Sequence, residues 1–592
     1  MNSPGPEVNE HPLRLLARFG MTERPAAVAV GIVALLQYLF LAKLWEGYPI
    51  RFAGDVIHAN VVAAGLALSL IGAAAIATGS LRSWRRGDLA ARKLEHPAAH
   101  ASFGPVRALL DEVAGRSILS GPGQRPALLY TLKNARALEA RETGRSGAIV
   151  VGLEQRKALR QDPDAFGALL GHEISHLELA ATRIETWVRR LTFLHLRILG
   201  WLTLVFVVVL GFIDRRGVGS SPALAGFNPV FDLSLYGQLS SQATVLALSA
   251  AVVFVYAYFF VVRREHAHDF RGSQLGATGA LAERVFTSRA GETASARTKR
   301  AITDFAGLHP STAARQQVLA RQDFVLLSAV LYPAIIAAIQ PLGLLLTAGW
   351  RTVFGIETQL WNLGLTAGAG LLLYMALRAD IVRLGIGLLL HPRRYVLQVP
   401  LYAAVAGIAT QVPRFALEFL FGLRRNIPLS MMGERIWTGF WSGGGRVTLM
   451  VALVLLALAY LAAVRIAALG ELRAGRLSWF DGLASALVVV GAFAISSLSS
   501  PRFMLDVALL LAGVALLYAG VFAVLQRCAA CRSRTRLGAL RLSTRCACGA
   551  EHLPRLRRWT TTPFTCHLMA DAGASDGQTS RGLTGRSVSA AA

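Results

Sequence analysis

The sequence has few charged residues, and its charge is one-sided. Only 16% of the residues are charged, and 35 acidic residues face 61 basic ones. Soluble domains carry about a quarter charged residues, so this shortage argues against a soluble enzyme. A hydrophobic content of 54% argues equally against a disordered basic protein. Five cysteines in 592 residues are too few for a disulfide scaffold. The composition therefore predicts a polytopic membrane protein with some soluble mass attached.

Long apolar runs support this interpretation, since about ten of them are long enough to cross a bilayer as helices. The basic residues lie mostly between these runs, where they anchor a membrane protein, so we expect a lipid bilayer and no nucleic acid as partner. Arg14, Arg18 and Arg24 precede the first run, and a second basic group follows the next run. The positive-inside rule then predicts a multi-pass cell-membrane protein whose long polar stretches and C-terminus are cytoplasmic.

The same pattern divides the chain into five parts. We expect a two-span anchor at 1–80, a domain with soluble mass and two further spans at 81–322, and a transmembrane bundle at 323–526. A segment with four cysteines follows at 527–568. The remainder, 569–592, is rich in small and polar residues and is predicted to be disordered. The expected fold class is mainly α, a polytopic transmembrane helical bundle with a small α+β domain.

Within the first polar stretch, His172-Glu173-Ile174-Ser175-His176 has the spacing of a metal site. At 3.6 residues per turn, His172 and His176 project from the same helix face one turn apart. Two imidazoles placed in this way can bind one tetrahedral zinc ion. Glu173 is offset from both, so it can take a proton from a water on the metal instead of binding the metal itself.

A catalytic zinc site needs a third protein ligand and one open position. Glu265 and Asp269 stand at the cytoplasmic end of a predicted span and share a helix face because they are four residues apart. Glu265 is the expected third ligand, and Asp269 is expected to accept a hydrogen bond from a ligand imidazole. His268 lies on roughly the same face and remains an alternative ligand.

These motifs resemble the membrane zinc metallopeptidases that include HtpX and the CAAX prenyl endopeptidase. The resemblance covers roughly half of the chain and also rests on 134–137, on 147–152 and on 309–311 with Arg315. It implies a zincin-like catalytic domain, a zinc-dependent endopeptidase acting on membrane or misfolded proteins, and zinc bound by His172, His176 and Glu265. Glu173 would activate water, and substrate or oxyanion contacts would come from Asn134, His309 and Arg315.

The resemblance leaves two matters open, namely whether prenylated peptides are substrates and what the later spans do. An extended peptide substrate is expected to pair with an edge strand near 148–152 through main-chain hydrogen bonds.

Four cysteines near the C-terminus form two close pairs, Cys528 with Cys531 and Cys546 with Cys548. Four thiolates make a closed structural zinc site, and the length between the pairs suits a small zinc ribbon. Together with the catalytic site, this predicts two zinc ions.

Two other functions compete with the enzyme. The chain could be a proteolytically silent signalling or scaffold protein that uses the ribbon to bind a partner. It could also be a transporter gated by the zinc domain. The oligomeric state is left open.

Overall fold

The structure is a computed structural model that describes the larger part of the chain. The described residues are 26–35, 67–79, 81–82, 103–117, 119, 125–131, 135, 137–143, 146–178, 182–215, 235–276, 293–296, 298–299, 302, 308, 310, 315, 333–334, 358–412, 415, 428–439, 445–469, 471–472, 479–497, 503–525, 528, 530–532, 546, 548–550, 555–559 and 567–570.

Helices dominate these residues, which confirms the mainly α fold class, and two small sheets accompany them. The helices are α1 (Ala26–Leu35), α2 (Ala67–Gly79), α3 (Gly104–Gly115), α4 (Gln155–Gln161), α5 (Pro163–Glu178), α6 (Thr182–Arg215), α7 (Leu235–Gly276), α8 (Thr358–Leu390), α9 (Pro392–Ala409), α10 (Leu429–Gly439), α11 (Gly445–Leu469), α12 (Trp479–Ser497) and α13 (Phe503–Leu525). The strands are β1 (Ala127–Thr131), β2 (Leu138–Thr143), β3 (Ser146–Gly152), β4 (Glu471–Leu472), β5 (Arg555–Trp559) and β6 (His567–Ala570).

The first sheet has the order β1-β3-β2, with β1 parallel and β2 antiparallel to β3. The run Ala148–Val151 on β3 is fully buried on both faces, as expected of a central strand. Our expectation of an edge strand near 148–152 is therefore wrong, because β3 has a partner on each side. The edge strands are β1 and β2, and β2 lies beside α5.

Helix α5 begins at a strong local start signal. The Oδ1 atom of Asp162 accepts the backbone N–H of Ala165 at 2.9 Å, and Pro163 takes the first helical position. Phe166, Leu170 and Ile174 then pack with the sheet in one hydrophobic core. This packing fixes the rotation of the helix and hence the direction of its two histidines.

Helix α7 crosses α5 at very short range. A Cβ atom added at Gly272 would lie 2.7 Å from both the Cα and the N atom of His172, closer than such atoms approach in real proteins. Only glycine allows backbones to meet so closely. A buried bidentate ion pair also joins the two helices, since Arg271 donates to Glu178 at 2.8 and 2.9 Å. The crossing brings the last turns of α7 beside the paired histidines.

Helices α8, α9, α11, α12 and α13 form a C-terminal bundle that shares one hydrophobic core with parts of α6 and α7. The apolar segment 381–390, too short to cross a membrane alone, continues α8 without a break. Among the described residues, one helix, Gly445–Ala467, is long and apolar enough to span a bilayer. The larger number of spans stays a prediction.

The second sheet joins the bundle to the C-terminal segment. Its order is β4-β5-β6, and β4, in the connection after α11, pairs in parallel with β5. Strand β6 ends at Ala570, two residues beyond the expected ribbon boundary at 568, and the disorder expected of the tail stays a prediction. The rest of the predicted tail lies outside the described residues.

Candidate metal centre

Helix α5 presents His172 and His176 on one face, as their spacing predicts. Their Nε2 atoms lie 3.2 Å apart, and each residue is only 7% exposed. Glu173 follows the first histidine and is partly exposed, so it is the most accessible of the three. The buried imidazoles therefore face a common point, and Glu173 beside them is less buried.

Glu265 on α7 brings a carboxylate oxygen to the same point. Its Oε2 atom lies 3.5 Å from His172 Nε2 and 3.9 Å from His176 Nε2. A tetrahedral ion with bonds of about 2.0–2.1 Å separates its ligand atoms by about 3.3–3.4 Å. Two sides of the triangle fit that separation within about 0.2 Å, and the third, from Glu265 to His176, is longer by about 0.5–0.6 Å. These residues could hold a metal ion, and three protein ligands leave one position open.

Asp269 stands behind His172, where it was expected. Its Oδ1 atom lies 2.9 Å from His172 Nδ1, on the opposite side of the ring from the metal position. Both carboxylate oxygens of Asp269 also accept hydrogen bonds from Arg315, whose Nε atom donates at 2.5 Å. Such an acceptor fixes the ring orientation and leaves Nε2 free for the metal. The predicted role of Arg315 in substrate contact gains no support from this placement, because its guanidinium is engaged with Asp269.

Glu185 on α6 has the corresponding place behind His176. Its Oε2 atom lies 3.3 Å from His176 Nδ1, while Oε1 accepts a hydrogen bond from Arg264 Nε at 2.6 Å. His268 Nε2 lies 3.2 Å from the same Oε1 atom. Glu185, His176 and His268 are close enough to form a second metal-binding group. The guanidinium of Arg264 opposes a cation there, so we interpret Glu185 as the acceptor that orients both imidazoles.

The third ligand is oriented by an arginine. Arg189, one turn after Glu185 on α6, donates to Glu265 Oε1 at 2.6 Å. That hydrogen bond occupies one carboxylate oxygen and leaves Oε2 directed toward the imidazoles. Each of the three ligands thus has a polar partner that fixes its direction, buried for the two histidines and partly buried for Glu265.

The alternative ligand His268 lies outside the triangle. Its Nδ1 atom lies 3.0 Å from the Ser175 hydroxyl and its Nε2 atom contacts Glu185. Burial lowers the pKa of His268 to about 3, so the ring is neutral. The geometry favours Glu265 over His268 as the third ligand.

Glu173 is held by the neighbouring edge strand. Its Oε2 atom accepts the backbone N–H of Ala140 on β2 at 2.6 Å. Burial raises the pKa of Glu173, and the nearby His176 and His172 oppose that rise. A carboxylate with a raised pKa beside a metal position is a better proton acceptor than an ordinary glutamate, which suits it to proton transfer.

The electrostatics of the ligands are dominated by their mutual contacts. Burial alone would lower the pKa of His172, but Asp269 and Glu265 raise it to about 10. Burial alone would raise the pKa of Glu265, yet the contacts with His172 and His176 bring it well below its ordinary value. Without a metal, the centre therefore holds a protonated imidazole between carboxylates, and a cation entering it would replace that proton.

Two predicted site residues, Asn134 and His309, lie outside the described residues. Their predicted contacts with substrate or oxyanion stay predictions.

The four C-terminal cysteines come together in space. Cys528 Sγ lies 3.7 Å from Cys548 Sγ, and Cys531 Sγ lies 3.6 Å from Cys546 Sγ. Four thiolates around an ion with bonds of about 2.3 Å would be about 3.8 Å apart. This group could also hold a metal ion. A hydrogen bond from the Cys548 backbone lowers the pKa of the Cys546 thiol, which favours its thiolate. The Ala550 backbone lowers the pKa of the Cys548 thiol, but the Cys546 and Cys531 side chains outweigh it and raise that pKa to about 11.

Sequence reasoning missed Glu185 and Arg189, and it gave no role to Arg264, which belongs to the motif around Glu265. Each is a charged residue near a long apolar segment, where charged residues commonly serve only as anchors at the membrane surface. The available signal was the spacing of Glu185 and Arg189, four residues apart on a helix that closely follows the paired histidines.

The chain was compared with protein-family models, curated proteins and solved structures, and none of them matches it. The resemblance to membrane zinc metallopeptidases rests on the motifs alone.

Proposed function

We propose that the chain is an integral-membrane zinc-dependent endopeptidase that hydrolyses peptide bonds of membrane or misfolded proteins. The observation that carries the proposal is the triangle of His172 Nε2, His176 Nε2 and Glu265 Oε2 with Glu173 beside it. Two imidazoles and one carboxylate with an open fourth position are the donor set of catalytic zinc sites in peptidases. The residues fit that ion in ligand type, in spacing and in the polar partners behind each ligand.

Zinc in such a site lowers the pKa of a coordinated water to about 7 and polarises a carbonyl group. The protein's own part in the reaction falls to Glu173, which takes a proton from the attacking water and delivers it to the leaving amine. Its partial exposure lets it reach both groups, and its hydrogen bond to Ala140 keeps one carboxylate oxygen in place. The neighbouring Ile174 and Leu170 are buried and hold the helix turn that carries it.

The peptide substrate has a suitable docking strand in β2. Its inner edge pairs with β3, whereas the N–H group of Ala140 points away from β3 toward Glu173. Because alternate residues of a strand share a direction, the backbone groups of Leu138 face the same way. An extended peptide added along this edge beside Leu138 would lie next to the metal centre, selected mainly by main-chain hydrogen bonds, while the N–H of Ala140 stays with Glu173. Such pairing favours broad sequence specificity.

The membrane placement is supported by apolar surface as well as by helix α11. Large apolar side chains are exposed on every helix of the C-terminal bundle, including Leu397 at 76%, Leu487 at 63% and Leu516 at 66%. Exposed apolar surface of this extent is typical of a lipid-facing or interaction surface. We propose a multi-pass membrane protein with the metal centre on the cytoplasmic side. The cysteine group is proposed to hold a second, structural zinc ion.

Glu173→Gln tests the proposed mechanism. The amide keeps the size of the side chain but cannot take up a proton, so hydrolysis of an unfolded protein substrate should fall by at least about 100-fold. Zinc content should stay at the wild-type level because Glu173 is not a ligand. Glu112→Gln is the matched control, since Glu112 is exposed on α3 and pairs with Arg116 one turn away. Cleavage by Glu173→Gln at the wild-type rate would rule out the mechanism.

The competing functions make different predictions for the same preparations. A wild-type protein that holds metal, does not cleave, and loses a partner on Cys528→Ser would favour the signalling alternative. Solute flux that survives His172→Ala would favour the transporter.

A further inference from the structure

The C-terminal bundle reaches the metal centre through two consecutive arginines on α7. Arg263 donates from Nη1 to Asp380 Oδ2 on α8 at 2.8 Å, and its Nη2 donates to the other oxygen of the same carboxylate. The next residue, Arg264, donates to Glu185 on α6. All four side chains are buried. Arg263 therefore ties α7 to α8, and Arg264 ties α7 to α6, directly before Glu265 in the chain.

The buried carboxylate of Asp380 contacts two further side chains besides Arg263. The Tyr402 hydroxyl on α9 donates to its Oδ2 atom at 2.8 Å, and Arg383 Nε lies 3.4 Å from its Oδ1 atom. Arg383 is 1% exposed and makes no hydrogen bond among the described residues, although its guanidinium lies 5.8 Å from the centre of the Tyr402 ring. One carboxylate thus faces two buried guanidinium groups. Without its charge, two uncompensated cations would repel each other in a medium that screens them weakly.

We infer that Asp380 is a positioning residue for the metal centre and acts through Arg263 on helix α7. Arg263 is two residues before Glu265 on a continuous helix that also carries Asp269, so a shift or rotation of α7 moves both residues against His172. Metal ligation tolerates errors of only about 0.2 Å in bond length. The inference rests on the proposed metal centre. It means that the C-terminal bundle helps to fix the positions of the metal ligands.

The experiment is a competitive chelator titration of the purified full-length protein, with zinc and with Co²⁺ as a spectroscopic probe. Co²⁺ bound by imidazole and carboxylate absorbs weakly, whereas Co²⁺ bound by four thiolates absorbs intensely, so the two sites are followed separately in one sample. Asp380→Asn should weaken metal binding at the centre formed by His172, His176 and Glu265, called the histidine site below. The expected loss is roughly tenfold or more, the range found when the groups that hydrogen-bond to metal ligands are changed. Binding at the cysteine site should not change.

Asp481→Asn is the matched control. Asp481 is a buried carboxylate on α12, 3% exposed, and pairs with Arg465 on α11 at 2.5 Å within the C-terminal bundle. This variant should lose stability without losing affinity at the histidine site. Arg263→Gln should weaken binding as Asp380→Asn does, and the double variant should lose no more than the single ones. If Asp380→Asn does not fold, Tyr402→Phe removes one hydrogen bond from Asp380 and should weaken binding by a smaller factor of about two to five.

The inference would be overturned if Asp380→Asn bound metal at the histidine site with wild-type affinity, or if Asp380→Asn and Asp481→Asn lost equal affinity there. If Asp380→Asn does not fold, unchanged metal affinity in a folded Tyr402→Phe protein would overturn it. Additive losses in the double variant would show that Asp380 does not act through Arg263. A wild-type protein without metal at the histidine site would instead refute the proposed function. Because no measurement here uses hydrolysis, the two failures are distinguishable.

Discussion

Glu185 provides the sharpest test of how the metal centre is supported. Its carboxylate lies close to three nitrogen atoms, those of Arg264 at 2.6 Å, His268 at 3.2 Å and His176 at 3.3 Å. In Glu185→Gln the side chain keeps its size, but one oxygen becomes an NH₂ group and the negative charge is lost. The NH₂ group must then face either His176 Nδ1 or the Arg264 side, and it can accept from neither.

The expected loss follows from what the carboxylate does for His176. A hydrogen-bond acceptor at Nδ1 fixes the ring and the tautomer that leaves Nε2 free for the metal, and changing such acceptors lowers metal affinity by about 10–100-fold. This corresponds to about 1.4–2.7 kcal/mol of binding free energy. The buried guanidinium of Arg264 also loses its counter-charge, so the thermal unfolding temperature should fall as well.

The assay is the zinc dissociation constant of Glu185→Gln and wild type, measured by competition with a chelator of known affinity. Glu112→Gln is the control, because its carboxylate is exposed and pairs with Arg116 on its own helix, away from the metal centre. An unchanged dissociation constant in a folded Glu185→Gln protein would refute the interpretation of Glu185 as the partner of His176. Loss of a second equivalent of metal would indicate that Glu185 is itself a ligand.

Gly272→Ala should separate α5 from α7, since the added Cβ would lie 2.7 Å from the His172 backbone. We expect the unfolding free energy to fall by about 1–3 kcal/mol and zinc to bind less tightly. Gly200→Ala is the control, because nothing lies within 4 Å of a Cβ added there. Wild-type zinc affinity in Gly272→Ala would contradict the close crossing. Zinc binding near pH 6 should release at least one proton, because His172 has a pKa of about 10 without metal and must become neutral to bind it. Because a proton competes with zinc for His172, zinc affinity should rise with pH up to about pH 10. Calorimetry in two buffers of different ionisation enthalpy measures the proton, and its absence would contradict the charged imidazole.

The local part of the site was predictable because its geometry depends on helix periodicity alone. His172 and His176 are one turn apart, and any helix over these residues places them together. Asp162 and Pro163 provide the start signal of that helix in the sequence itself. Glu265 and Asp269 were found through the spacing of a charged pair and the family resemblance, since no local rule relates them to residues so far away in the chain.

The remaining features depend on tertiary contacts that periodicity does not encode. The order β1-β3-β2 follows from which strands pair, so the apolar run at 148–152 alone could not tell a central strand from an edge strand. Gly272 reads as an isolated glycine until α5 is known to cross it. The ion pair between Arg263 and Asp380 joins two residues that each resemble interfacial charge, and only the packing of α7 beside α8 makes them partners.

X-ray absorption at the zinc edge tests the central claim most directly when it is recorded on a variant that has serine in place of Cys528, Cys531, Cys546 and Cys548, so that the cysteine site is removed. We predict one zinc ion per chain, bound by two imidazole rings and a carboxylate oxygen at about 2.0–2.1 Å with no sulfur neighbour. A spectrum with a third imidazole in place of the carboxylate, or a protein that retains no zinc, would contradict the assignment of His172, His176 and Glu265 as the metal ligands.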